Sequence, residues 1–66
     1  KGKKASRYAR FGIADYWVVD VENRRLFVYR NPVNGVYPAP QELSETDTVT
    51  PLAAPNALIA VADLLP

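Results

Sequence analysis

Cysteine and histidine are both absent from the 66-residue sequence. Without cysteine there is no disulfide and no thiolate zinc site, the staples that small scaffolds often rely on. Without histidine there is no Ser-His or Cys-His catalysis, no imidazole acid-base chemistry and little scope for transition-metal ligation. The chain has only three glycines, and none sits in a phosphate-cradling loop. No apolar run is long enough to span a bilayer, and no charged n-region precedes an apolar h-region. What remains is carboxylate, lysine, tyrosine and hydroxyl chemistry in a chain that reads as cytoplasmic.

Hydrophobic residues make up 48% of the sequence and charged residues 23%, proportions of a globular chain and not of a disordered one. At this length only about 60% of the unfolded surface can be buried, so residues 1–66 make at most one thin domain. Net charge is +1, but Lys1, Lys3, Lys4, Arg7 and Arg10 all precede the first acid, Asp15. A basic end of this kind suits phosphate-bearing partners.

The spacing predicts a helix over residues 3–11. Ala5, Tyr8 and Ala9 form its apolar stripe, while Lys3, Arg7 and Arg10 share another side. Gly12 is a natural terminator, with Ile13 behind it to cover the last turn. Residues 15–21 are strongly β-prone and apolar on both alternating faces, the pattern of an interior strand. A turn at Glu22 and Asn23 leads into a second strand over 25–30, giving a hairpin. Asn31-Pro32 and Asn34-Gly35 are turn dipeptides, and a third extended segment is expected near Val36, demoted to an edge by Pro38 and Pro40. Residues 41–50 read as a polar loop, with a short strand over 48–52. Residues 57–61 suit either a last strand or a helix start, and 62–65 one helical turn. The fold class expected is α/β, here an α+β fragment in which an N-terminal helix precedes a small, mostly antiparallel sheet.

Asp15 and Asp20 flank the aromatic strand, and paired carboxylates can hold magnesium or share acid-base work. Five strand residues would set them roughly 16 Å apart on opposite faces, so each reads as a strand-end residue that anchors a turn or loop. Tyr16, Trp17, Phe27 and Tyr29 can stack on bases if they line an exposed sheet, but their interleaving with Val18, Val19, Leu26 and Val28 favours a core. Lys4 is the candidate for chemistry, because a lysine beside a phosphate oxygen can offset charge that develops during phosphodiester cleavage.

Lys4, Tyr8-Ala9, Gly12-Ile13, Tyr16-Trp17-Val18-Val19-Asp20 and Val28-Tyr29-Arg30, followed by the closing "IAVADLLP", form a pattern that resembles the Uma family of restriction endonucleases. That family lies within the PD-(D/E)XK nuclease superfamily. The resemblance runs from Lys4 to Leu65. It implies a restriction-endonuclease-like core that binds magnesium or manganese and hydrolyses nucleic acid, DNA in the first instance. It also implies that the metal-binding aspartate and glutamate stand upstream of Lys1, so that residues 1–66 are the C-terminal portion of the domain and bind no metal by themselves.

Lys4 matches the lysine that the family carries on the helix after its acidic strand. Asp20 matches the acid ending the YWVVD strand. Asp15 stands where the family commonly has glutamate, and Ala14 where proline is common. Lys3, Arg7 and Arg10 are the expected nucleic-acid contacts, and a homodimer is the expectation for an enzyme that cuts two strands. A non-catalytic nucleic-acid-binding or assembly module is the alternative that the basic end also supports.

Overall fold

A computed structural model describes residues 8–66. The expected helix over 3–11 falls mostly outside these residues. Residues 8–10 are helical, and their exit follows the Schellman pattern. The Gly12 amide donates to Ala9 O at 3.0 Å and the Ile13 amide to Tyr8 O at 3.1 Å, satisfying two carbonyls that the last turn leaves over. Gly12 takes φ +72 to do so, a conformation that costs a residue with a Cβ about 1–2 kcal/mol.

Strand β1, Asp15–Asp20, pairs antiparallel with β2, Arg25–Arg30, from Asp15 opposite Arg30 to Asp20 opposite Arg25. Residues 21–24 close the hairpin. The Arg24 amide donates to Val21 O at 3.3 Å, and Arg24 adopts φ +52. Asp20 braces the turn by accepting from the Asn23 amide at 3.3 Å and from Asn23 Nδ2 at 3.0 Å, an Asx arrangement that explains an acid at the strand end.

The third strand, β3, is Gln41–Ser44, antiparallel to β2 with Leu43 opposite Leu26. This corrects two expectations. The segment near Val36 is a two-residue turn, Asn34 at φ +53 and Gly35 at φ +76, closed by paired bonds between Val33 and Val36. Positive φ at both central residues is what Asn-Gly is suited to. The polar stretch after Pro40 supplies the strand instead, because a single inward leucine suffices to join it to the core.

The sheet order is β1-β2-β3, so β2 is central and β1 lies at an edge among the described residues, where an interior strand was expected. A second, two-stranded sheet pairs β4, Thr48–Val49, with β5, Ile59–Ala60, and a 3-10 turn over Val61–Leu64 follows. The closing segment is thus strand and then helical turn. The extended piece expected over 48–52 is confined to its first two residues.

One face of the three-stranded sheet carries the core. Leu26, Val28, Leu43, Val49 and Val61 are buried together, with Trp17, Ile59, Leu64 and Leu65 packed around them. Leu26 and Val61 are fully enclosed, each burial contributing roughly 1.5–3 kcal/mol. The hydrophobic effect therefore binds the second sheet to the first across a single layer of side chains. The architecture is a small α+β arrangement dominated by antiparallel sheet.

Candidate functional site

Of the residues that the sequence marks for function, Lys3, Lys4 and Arg7 lie outside the described residues. Arg10 is described. It occupies the last helical position before the Gly12 stop, is exposed, and lays its stem across the Asn34-Gly35 turn: a Cβ built on Gly35 would meet Arg10 Cγ at 3.3 Å. A basic residue here complements the helix dipole. Arg24, Arg25 and Arg30 are paired with Glu45, Glu42 and Asp15. Arg10 is the cation without a carboxylate partner among the described residues.

Asp15 accepts three hydrogen bonds. Its Oδ1 accepts from Trp17 Nε1 at 2.6 Å and from Arg30 Nε at 2.8 Å, and its Oδ2 accepts from the Leu52 amide at 2.9 Å. Arg30 continues to the same loop through Nη2, which donates to Thr50 O at 2.6 Å. Burial by itself would raise the Asp15 pKa. The Arg30 guanidinium, the Leu52 amide and the Trp17 N–H together outweigh it and hold the carboxyl below its ordinary value of 3.8, since hydrogen bonds and a cation favour the charged form.

A divalent metal in a nuclease needs oxygen ligands that are free to converge. Asp15 is occupied on both oxygens, Asp20 braces Asn23, and Asp47 accepts from the Ser44 amide at 2.8 Å. Glu42 and Glu45 sit on arginines. Among the described residues no group of three metal-capable side chains comes together. Asp15, Asp20 and Asp47 are committed to holding turns and loops, and Glu42 and Glu45 to ion pairs, so these five do not fit a metal site.

All four tyrosines of the sequence gather at one end of the sheet. Tyr16 and Tyr29 are cross-strand partners with ring centroids 5.6 Å apart, and Tyr37 lies 6.1 Å from Tyr16 and 5.5 Å from Tyr29. Tyr8, from the helix end, meets Tyr16 edge-on at 4.7 Å. The Tyr37 hydroxyl donates to Ile13 O at 2.6 Å, tying the 33–37 segment to the helix exit. Burial, with the charges of Tyr16 and Asp15 close by, pushes the Tyr37 phenol above its ordinary 10.0. Tyr16 and Tyr29 were anticipated as packing residues, and they are half-buried. The convergence of Tyr8 and Tyr37 upon them is set by tertiary structure and has no local signature.

A fold of antiparallel strands after a helix end, with carboxylates spent on scaffolding, leaves the class of the protein to its family. A family model described as "Putative restriction endonuclease" matches residues 1–62, which sets the class of the chain as that of a restriction-endonuclease-like family. The chain belongs to the Uma2 family. Comparison with curated proteins and with solved structures finds no match. Among the described residues no helix is long and apolar enough to cross a membrane.

Proposed function

We propose that residues 1–66 are the C-terminal portion of a metal-dependent nuclease domain that hydrolyses phosphodiester bonds in DNA. The observation that carries this reading is the family match over residues 1–62. In this reading Lys4 faces the scissile phosphate and offsets the charge that builds on its oxygens. Lys3, Arg7 and Arg10 hold neighbouring phosphates. Magnesium or manganese and the carboxylates that bind it belong to an upstream part of the domain, which agrees with the engagement of Asp15, Asp20, Asp47, Glu42 and Glu45 in turns and ion pairs. The hairpin and its buried Leu26 act as the platform behind the reacting groups. Two copies act together, one on each strand of a duplex.

The test is cleavage of duplex DNA and of RNA by the protein expressed from its whole reading frame, with and without magnesium or manganese. Metal-dependent cleavage that Lys4→Ala abolishes supports the reading. Cleavage unaffected by Lys4→Ala removes the lysine from it. Salt-sensitive binding with no cleavage under any metal would replace the enzyme with a binding module.

A further inference from the structure

Arg10 and the tyrosine cluster occupy neighbouring ground. The Arg10 stem rests on Gly35, and Tyr37, two residues further on, is tethered to Ile13 at the helix exit. A guanidinium whose stem is held by backbone contact while its head stays exposed is prepared for a ligand and has no carboxylate to occupy it among the described residues. The tyrosines add a second property. Among the described residues only the Tyr37 hydroxyl finds an acceptor; those of Tyr8, Tyr16 and Tyr29 find none. Ring packing alone would be served equally well by phenylalanine, so these half-buried rings present hydroxyls that the fold itself does not use.

The carboxylates near this face are paired: Asp15, whose charge reaches Tyr37, sits 2.8 Å from the Arg30 guanidinium. The register puts Tyr16, Val18 and Asp20 on the same side as Tyr29, Phe27 and Arg25, with Glu42 across from Phe27. Glu42 is paired with Arg25 at 3.4 Å, and Asp20 lies at the opposite end of the strand from Tyr16. The end of the sheet that holds the tyrosines therefore combines one uncommitted positive charge, hydroxyl donors and aromatic surface. That combination is the chemistry of a nucleotide whose base is out of the helical stack.

Resting on the nuclease reading, we infer that Arg10 with Tyr16, Tyr29 and Tyr37 forms a contact for an unpaired nucleotide. Arg10 takes its phosphate, the three tyrosine rings take its base, and the hydroxyls of Tyr16 and Tyr29, which the fold leaves over among the described residues, take its sugar.

The experiment uses the protein expressed from its whole reading frame and a labelled single-stranded oligothymidylate of about ten nucleotides carrying one photoreactive iodouracil. Affinity is titrated between about 50 and 200 mM salt, and crosslinks are mapped by mass spectrometry. The expected crosslink falls on Tyr29 or Tyr37. Arg10→Ala weakens binding and lowers the log affinity against log salt slope by about 0.7, the value for one phosphate contact on a single strand, whereas Arg10→Lys keeps the slope. Tyr29→Phe, which preserves the ring, weakens binding without changing the slope. If the oligonucleotide binds but crosslinks elsewhere, with the Arg10→Ala slope unaltered, the cluster is a structural clamp and the inference is overturned; Arg10 then leaves the phosphate contacts, while the nuclease reading stands on the remaining residues. If neither oligonucleotide nor duplex binds at the lowest salt, the nuclease reading fails and the inference with it.

Discussion

Asp15 and Arg30 face one another across the first hairpin and both reach the same loop. Their Oδ1 to Nε distance is 2.8 Å, while Oδ2 of Asp15 takes the Leu52 amide and Nη2 of Arg30 binds Thr50 O. Asp15→Asn keeps the shape but removes the charge, leaving Arg30 without its counterion. A loss of about 1–3 kcal/mol is expected, read as a lower denaturation midpoint at unchanged slope. A change near zero would show that the loop is held without this ion pair.

The same carboxyl sets an acid dependence. Its folded pKa lies below 3.8, so the unfolded chain takes up this proton at higher pH than the native one. The stabilisation is complete above the unfolded value and is lost as pH falls through the depressed folded value. The stability difference between wild type and Asp15→Asn should therefore shrink as denaturation curves are taken from neutral pH down past pH 3.8. A difference independent of pH would contradict the assignment.

Gly12 and Gly35 both hold positive φ but differ in their surroundings. A Cβ on Gly12 meets nothing within 4 Å, whereas one on Gly35 would stand 3.3 Å from Arg10 Cγ. Gly12→Ala should cost about 1 kcal/mol from backbone conformation alone. Gly35→Ala should carry a similar conformational cost and also displace the Arg10 stem. Nucleic-acid affinity should accordingly fall in the second variant and hold in the first, as a filter-binding or anisotropy titration would reveal.

Leu26 is fully enclosed, and its register partner on β1, Val19, is 37% exposed. Leu26→Ala removes side-chain volume from the contact between the two sheets and should cost about 2–5 kcal/mol, enough to unfold much of a small domain. Val19→Ala, at a partly exposed position on β1, should cost less than about 1 kcal/mol. Circular dichroism melts of both variants separate these outcomes.

Lys4→Ala bears on chemistry alone if the nuclease reading is right. Loss of one charge-stabilising group should slow cleavage by about 10²-fold or more, with thermal stability unchanged within about 0.5 kcal/mol. Lost activity accompanied by a lowered melting temperature would assign the lysine to the fold instead.

Local patterns in the sequence mark the hairpin well. Asp15, Glu22-Asn23 and the alternation over 25–30 place β1 and β2 closely, because β-branched and aromatic residues between turn formers act over short range. Gly12 announces itself as the helix stop for the same reason. β3 is different. Gln41, Glu42 and Ser44 carry little strand propensity, and only Leu43, meeting Leu26 across the sheet, makes the segment a strand. The edge position of β1 is likewise a matter of which strands pair, which no property of residues 15–20 encodes. The carboxylates were legible as strand ends, yet the bond from Asp15 to Leu52 spans 37 residues and leaves no mark nearby. The tyrosine cluster escapes for that reason too, since Tyr8, Tyr16, Tyr29 and Tyr37 come from separate segments.

β4 and β5 contribute two residues each and, among the described residues, pair only with one another, too little ladder to persist independently. What seats them is Val49 and Val61 in the core, the Val61 amide on Asp47 O, and the two bonds that Asp15 and Arg30 send to the 50–52 loop. The closing third of the molecule is therefore latched to the first sheet, and it is expected to open as one cooperative unit. Amide hydrogens of β4 and β5 are therefore expected to exchange together, and faster once the Asp15 charge is removed.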